Sequence, residues 1–136
     1  MNQRKSTLSR QTAETAITVT LDLDGSGRSG VTTGIGFFDH LLTALARHSL
    51  IDLELTAAGD LHVDGHHTVE DAGILLGQAI SAALGEREGI VRFGHAYCPL
   101  DEALARAVVD VSGRGYLAWR CPVPLRMVGT FDGELL

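Results

Sequence analysis

The sequence predicts an α+β fold made of two similar βαβ-type units, each a small mixed sheet backed by helices, with the second unit incomplete. Three observations lead to this prediction. Segments with alternating apolar residues and segments with helical periodicity follow one another along the chain. A short pattern from the first half returns in the second half in the same order. The length of 136 residues allows a sizeable buried core.

The first half of the chain alternates between predicted strands and predicted helices. Residues 13–24 carry apolar side chains at every second position from Ile17 to Leu23, which is typical of a half-buried strand. The glycine-rich segment 25–30 predicts a turn, and residues 31–35 a returning strand. The further predicted elements are a helix over 37–49, a strand over 51–57, a short strand over 61–64 and a helix over 67–84.

The pattern restarts from Glu102 as strand, turn and strand. Residues 22–25 align with residues 110–113 at an offset of 88 (110 − 22), and Phe38-Asp39 aligns with Phe131-Asp132 at an offset of 93 (131 − 38). Two matches in the same order, within the same strand pattern, favour an internal duplication.

The duplication predicts the organisation of the chain. Residues 1–90 form a first α/β repeat that contains the segment HHTVED, and residues 91–136 form the start of a second repeat. The second counterpart of HHTVED would then lie beyond Leu136. We therefore expect the chain to stop partway through its second repeat.

Composition and charge exclude several classes of function. A net charge of −6 argues against a broad nucleic-acid surface, which needs a basic field. Cys98 and Cys121 form no CxxC pair, which favours buried thiols in a reducing compartment. The polar N-terminus lacks the apolar core of a signal peptide, and no stretch reaches membrane-span length. We expect a cytoplasmic protein without nucleic-acid or membrane partners.

The adjacent histidines of HHTVED are the main candidates for chemistry. His66 and Glu70 are four residues apart, so at a helix start they share one face and can share one metal ion. His67 lies about 100° round the helix and points elsewhere. Imidazole with carboxylate suits manganese, iron, zinc or nickel. The alternative is a plain helix N-terminus with exposed histidines and acids that favour the helix dipole.

Other candidates have weaker support from sequence. Asp64, Asp71 and His62 are possible partners for the free ring nitrogens of such ligands. His40 lies in an otherwise apolar helix, either as a core histidine with a satisfied ring or as a further ligand. His48 and His95 lack such context and are treated as structural or surface residues.

Three charged residues have a default surface interpretation. Glu14 is expected to be an exposed strand residue. Arg92 and Arg114 each lie close to a glycine, which lets a backbone approach a ligand, and the guanidinium group is well shaped for a phosphate.

Together these segments resemble one enzyme family. TGIGFFDHLL, DLHVDGHHTVEDAGILLGQAI, RFG, PLDEALARAVVDVSGRGYL and the opening RQTAET follow in the order seen in imidazoleglycerol-phosphate dehydratase. The resemblance implies a hydro-lyase of histidine biosynthesis that converts imidazole glycerol phosphate to imidazole acetol phosphate. It further implies two Mn²⁺ ions per site, a fold of two similar α/β units, and a homo-oligomer of 24 subunits with shared sites.

The resemblance also assigns roles to matching positions. Glu14 and Glu70 are the implied catalytic carboxylates, and Arg92 and Arg114 the implied phosphate-binding arginines. The implied metal ligands are His40, His66, His67 and Glu70, and the three histidines and Glu14 would also contact the substrate. Gly65 departs from the family, because many members carry an acid there. The family's second histidine segment and a phosphate-binding lysine would lie beyond Leu136.

The implied mechanism passes through a metal-bound imidazolate of the substrate, because the carbon that loses a proton has no neighbouring carbonyl. Glu14 would take the carbon proton, and the arginines would orient the phosphate. Two alternatives remain. One is a metal-dependent hydrolase with a metal-bound hydroxide. The other is a non-catalytic, metal-stapled assembly domain or an inactive fragment of the dehydratase.

Overall fold

The computed structural model describes residues 3–136, and this part of the chain contains six strands and two α-helices. Neither helix in that range is long and apolar enough to cross a membrane. A 3-10 helix follows at Gly133–Leu135. The elements are β1 (Lys5–Gln11), β2 (Thr15–Asp22), β3 (Ser29–Thr32), α1 (Gly36–Ser49), β4 (Asp52–Gly59), α2 (His66–Leu84), β5 (Phe93–Leu100) and β6 (Ala103–Asp110).

The chain divides into two compact units. The first comprises the described part of Met1–Gly85 together with Val123–Leu136, and the second comprises Glu86–Pro122. The first contains a four-stranded sheet and both α-helices, and the second a two-stranded sheet. The predicted α+β class is confirmed. The predicted boundary between repeats after residue 90 stays a prediction.

The four-stranded sheet is mixed, in the order β1-β2-β4-β3. β2 is antiparallel to both β1 and β4, whereas β3 runs parallel to β4. Parallel neighbours need a crossover connection, and α1 supplies it between β3 and β4. This β3–α1–β4 segment is the βαβ unit that the sequence predicts.

One face of this sheet forms the core with the helices. β2 alternates between buried and exposed residues along Thr15–Asp22, so that Ile17, Val19 and Leu21 all point inward. They cluster with Leu75 and Ala79 of α2. The burial of this apolar face holds α2 against the sheet and thereby positions the N-terminal end of the helix, which carries HHTVED.

The two hairpins of the structure share one strand register. Lys5 pairs with Asp22 in the first, and Phe93 pairs with Asp110 in the second, so both partners are displaced by 88 residues (93 − 5 and 110 − 22). This is the offset that the sequence match predicts. The duplication therefore extends to the hydrogen-bonding pattern of the strands.

Several predicted elements differ from the structure. The strand predicted over residues 61–64 is wrong: residues 61–63 form a turn, in which the backbone N–H of Val63 donates to the Asp60 carbonyl at 2.8 Å. The strand predicted after Arg114 is also wrong. β1 and β5 were not predicted as strands. In β1, Leu8 is the one large apolar residue, so the strand shows no apolar alternation.

Candidate active site

The segment HHTVED forms the first turn and a half of α2. Gly65 is the residue before the helix, and the Asp64 carboxylate accepts the backbone N–H of His66 at 2.8 Å. This bond satisfies one of the free N–H groups at the helix start. A side chain at position 65 would place its Cβ 3.1 Å from the Ile35 Cδ1 atom, so the space for an acid there is tight.

His66 and Glu70 lie on one face of α2, as their spacing predicts. The His66 Nε2 atom is 3.7 Å from Glu70 Oε2, and both side chains are more than half exposed. No direct hydrogen bond joins them at that distance. The pair presents one imidazole and one carboxylate to a common point outside the helix.

His67 faces elsewhere. Its ring lies at 74° to the His66 ring, with 5.7 Å between the ring centroids. Its Nδ1 atom is 3.0 Å from Oδ2 of Asp60, the residue that follows β4. The hydrogen bond with Asp60 raises the pKa of His67, partial burial opposes the rise, and the charges of Asp60, Glu14 and Asp64 add to it.

Asp60 is a site residue that the sequence reasoning missed. The sequence predicts Asp64, Asp71 and His62 as partners of the histidine rings and indicates no role for Asp60. The available signal was a carboxylate immediately after a strand and seven residues before His67. Such a carboxylate matters only when the strand end and the helix start meet, which is a tertiary property.

Glu14 lies in the bend between β1 and β2 and is exposed, so its predicted place within a strand is wrong. The Thr12 hydroxyl accepts the backbone N–H groups of Glu14 at 3.2 Å and Thr15 at 3.0 Å, which fixes this bend. The Glu14 charge contributes to the raised pKa of His67. The charge of Glu14 therefore acts on the first turn of α2.

Asp71 is not a partner of the histidine rings. Its carboxylate accepts the Thr15 hydroxyl at 2.6 Å and the Arg10 Nε–H at 2.8 Å, and Thr12 lies at 3.4 Å. The Thr15 bond is the main cause of its lowered pKa, with burial opposing and Arg10 adding to it. Asp71 thus ties the helix that carries HHTVED to the bend that carries Glu14.

His40 is exposed near the start of α1, which excludes the interpretation as a buried core histidine. Its ring centroid is 6.4 Å from that of Phe37. The adjacent Asp39 turns back and accepts the Thr33 backbone N–H at 2.9 Å and its hydroxyl at 2.6 Å. His40 is therefore held on a fixed turn with its ring at the surface.

The donor chemistry of the first unit fits a metal such as manganese. His66 and Glu70 offer a mixed imidazole and carboxylate pair, and the Asp60 bond at Nδ1 leaves Nε2 of His67 available. Over residues 3–136, however, no three or more His, Cys, Asp or Glu side chains come together as a metal site. The ligand roles of His40, His66, His67 and Glu70 stay predictions.

The second unit contains both arginines that were assigned to phosphate. Arg92 donates to the Asp110 carboxylate through Nε at 2.6 Å and through the terminal nitrogen at 3.1 Å, and its guanidinium lies 5.0 Å from the Phe93 ring centroid. The bond with Arg92 lowers the pKa of Asp110, burial opposes this, and the charge of Arg114 contributes. Arg92 is thus paired with a carboxylate to which the sequence assigns no role, and the charge of Arg114 acts on the same carboxylate.

Residues 33–136 match the family described as imidazoleglycerol-phosphate dehydratase. The dehydratase of Gluconobacter oxydans is 62% identical and is covered over 69% of its length by 99% of this chain. That of a Polaromonas species is 59% identical, with 97% of this chain covering 64% of it. The chain thus spans about two thirds of the length of these relatives.

Two solved structures have the same fold. Imidazoleglycerol-phosphate dehydratase from Staphylococcus aureus aligns with a TM-score of 0.83 at 37% identity, over 96% of this chain and 71% of the other. The enzyme from Pyrococcus furiosus, in complex with (S)-C348, aligns with a TM-score of 0.78 at 34% identity, over 94% of this chain and 67% of the other.

Proposed function

Because this chain belongs to the imidazoleglycerol-phosphate dehydratase family, we propose that it dehydrates imidazole glycerol phosphate to imidazole acetol phosphate in histidine biosynthesis. The proposal makes it a manganese-dependent hydro-lyase of the cytoplasm. The observation that carries it is the arrangement at the start of α2. There, His66 and Glu70 share one face while His67 is held in another direction by Asp60.

The two directions support the use of two metal ions. A pair of adjacent histidines on a helix cannot converge on one ion, because their positions differ by about 100° round the axis. In the proposed site, His66 and Glu70 would hold one Mn²⁺ ion, and His67 would hold a second. His40, exposed on α1, supplies a further imidazole, and the same histidines face the bound substrate.

A complete metal site requires more ligands than these three histidines and Glu70. The described residues supply pairs of ligands rather than a full shell. We propose that neighbouring subunits contribute donors to the site, within a homo-oligomer such as the 24-subunit assembly expected from the family. Mn²⁺, when bound, would stabilise the deprotonated imidazole ring of the substrate.

The protein residues then handle the proton and the phosphate. Glu14, in a bend held by Thr12, would accept the proton from the substrate carbon once within hydrogen-bond reach. Arg92 and Arg114 would bind the phosphate and fix the orientation of the glycerol chain. Since Asp110 already engages Arg92, phosphate binding would have to compete with this carboxylate or be shared with it.

The first test asks whether this chain binds manganese and turns over. Manganese content, oligomer size and ketone formation from imidazole glycerol phosphate are measured for this chain and for the full-length Gluconobacter oxydans relative. Turnover in both supports the proposal. If this chain binds manganese and forms oligomers but shows no turnover, while the Gluconobacter oxydans relative is active, the result would support the metal-stapled assembly domain. Hydrolysis of phosphate without ketone formation would support the hydrolase.

The second test concerns Glu14. In the active chain, Glu14→Gln is expected to lower kcat by about 10²- to 10⁴-fold, because a general base is removed. Manganese binding should be unchanged. Glu54→Gln, on the exposed side of β4 in the same sheet, is the matched control and should keep full activity. Full activity in the Glu14 variant would exclude its role.

A further inference from the structure

We propose that Asp60 is a positioning residue. It holds the neutral His67 ring as the tautomer with the proton on Nδ1, and it orients the ring so that Nε2 faces outward. The geometry of the Asp60–His67 pair carries this inference. Only the purpose of the free Nε2, which is metal ligation, rests on the proposed function.

The hydrogen bond is direct and its acceptor is well held. Asp60 Oδ2 lies 3.0 Å from His67 Nδ1, and the Asp60 side chain is 17% exposed, against 42% for His67. A carboxylate accepts but does not donate, so Nδ1 must carry the proton in this pair. The proton at Nδ1 leaves Nε2 of a neutral ring with its lone pair free for a ligand.

The backbone on both sides fixes the distance between the two residues. A Cβ atom on Gly59 would lie 2.0 Å from the Thr68 hydroxyl oxygen, so the end of β4 and the first turn of α2 are in close contact. Gly59 precedes Asp60, and Thr68 follows His67. Asp60 is further held by the turn in which its carbonyl accepts the Val63 N–H at 2.8 Å.

The second carboxylate oxygen points to the same conclusion. Oδ1 of Asp60 is buried, and it has no hydrogen-bond partner among residues 3–136. Most buried polar atoms are hydrogen-bonded, and an unpaired one is costly. The fold therefore tolerates a cost at Oδ1 while Oδ2 is directed at His67. A residue needed only for the turn would require no buried carboxylate.

His66 offers an internal contrast. Its ring lies 3.7 Å from an exposed Glu70 carboxylate, too far for a defined hydrogen bond, and Asp64 contacts its backbone rather than its ring. Asp64 nevertheless adds negative charge near His67, as Asp60 does. Asp64→Asn removes that charge and keeps the cap, so it is the matched control for loss of charge.

The primary experiment measures the tautomer of His67 by ¹⁵N NMR of the imidazole nitrogens in metal-free chain. The pH is set to about 9.5, well above the ordinary imidazole pKa. In the wild type and in Asp64→Asn, the proton is expected on Nδ1 of His67. In Asp60→Ala, it should move to Nε2, the form that free neutral histidine prefers. Asp60→Asn keeps an amide oxygen as acceptor and should retain the Nδ1–H form.

Two outcomes of the tautomer measurement would overturn the proposal. One is a wild-type His67 with the proton on Nε2, a result that does not depend on any variant folding. The other is an unchanged tautomer in a folded Asp60→Ala chain.

Titration with MnCl₂ links the tautomer to the site. Loss of the partner of a metal-binding histidine typically weakens affinity by 10- to 100-fold, so Asp60→Ala should bind Mn²⁺ more weakly by that factor, and Asp64→Asn should not. Absence of Mn²⁺ binding in the wild type would count against the proposed function alone, because the tautomer is measured without metal. Equal affinity in wild type and Asp60→Ala would overturn the positioning role.

Discussion

The two hairpins have the same strand pairing but differ in the burial of their side chains. β1–β2 and β5–β6 keep equivalent partners at an offset of 88 residues (93 − 5), and even the bond beyond the strand end is repeated. The N–H of Leu23 donates to the Arg4 carbonyl at 2.9 Å, and that of Val111 donates to the Arg92 carbonyl at 3.0 Å. Yet β2 buries alternate residues, whereas every residue of β5 and β6 is exposed.

The contrast separates two contributions to a hairpin. Strand pairing is a property of the backbone and the turn, and it persists in both copies. The apolar environment comes from α2, which packs on β1 and β2. Because an isolated two-stranded hairpin is marginally stable in water, we expect the first hairpin to carry the stability of this chain.

The sharpest test substitutes equivalent positions in the two hairpins. Leu21 in β2 is 1% exposed, and Val109 in β6, the residue 88 positions later (109 − 21), is 54% exposed. Leu21→Ala should lower the free energy of unfolding by about 3 kcal/mol, because it leaves a cavity beneath α2. Val109→Ala should change it by less than about 0.5 kcal/mol. Urea unfolding followed by circular dichroism measures both.

Similar losses at the two positions would break the comparison. They would mean that β6 is as well packed in solution as β2. Ala105→Gly, on the same face of β6, would then also lower the free energy of unfolding, since it removes a side chain from that packing.

The next test compares two ion pairs that have similar distances. Arg10 lies 2.8 Å from Asp71, whose side chain is 10% exposed, whereas Arg92 lies 2.6 Å from the half-exposed Asp110. Asp71→Ala should lower the free energy of unfolding by roughly 2–3 kcal/mol, because it leaves the hydroxyl of Thr15 and the guanidinium of Arg10 without their acceptor. Asp110→Ala should give no resolvable change, as is usual for exposed pairs.

Loss of the acceptor carboxylate is expected to affect activity differently from stability. If Arg92 binds the substrate phosphate as proposed, Asp110→Ala frees its guanidinium for that contact and should lower KM or leave it unchanged in an active chain. A loss of stability with Asp110→Ala that equals the loss with Asp71→Ala would show that burial does not determine the strength of these pairs.

The first repeat was the easier part of the fold to predict. β2, α1, β4 and α2 each bury one face, so their apolar residues recur with the period of the element. β1 and β5 carry no such signal. β1 pairs polar side chains across the sheet, as in the 3.0 Å contact between the Thr7 and Thr20 hydroxyls. Its alternate residues are only partly buried, on a strand that α2 packs against.

In the site, too, the local features were predictable from sequence and the long-range contacts were not. The common face of His66 and Glu70 follows from helix geometry and was predicted from spacing alone. The contacts of His67 with Asp60, and of Asp71 with Thr15, join residues 7 and 56 positions apart. Such contacts depend on how β4 and the β1–β2 bend meet α2, and local periodicity holds no information about this.

The pH dependence of stability gives the smallest expected effect. The Thr15 hydroxyl and Arg10 hold the pKa of Asp71 below its ordinary value in the folded chain. A carboxyl with a depressed folded pKa contributes stability above its unfolded pKa, about 3.9, and this contribution is lost as the pH falls through the folded pKa. The difference in urea midpoint between wild type and Asp71→Asn should therefore be constant from pH 7 to about pH 5, and narrow below about pH 4.

The equivalent measurement on Asp110 completes the comparison. Arg92 also lowers the pKa of Asp110, but both side chains are nearly half exposed, so salt should screen their interaction. The midpoint difference between wild type and Asp110→Asn should be small at every pH and vanish in about 1 M NaCl, whereas that of Asp71→Asn should persist there. A midpoint difference between wild type and Asp71→Asn that stayed constant down to pH 2 would contradict this prediction. Protonated Asp71 would then still stabilise the fold more than asparagine does. The effect would come from the geometry of its hydrogen bonds rather than from its charge.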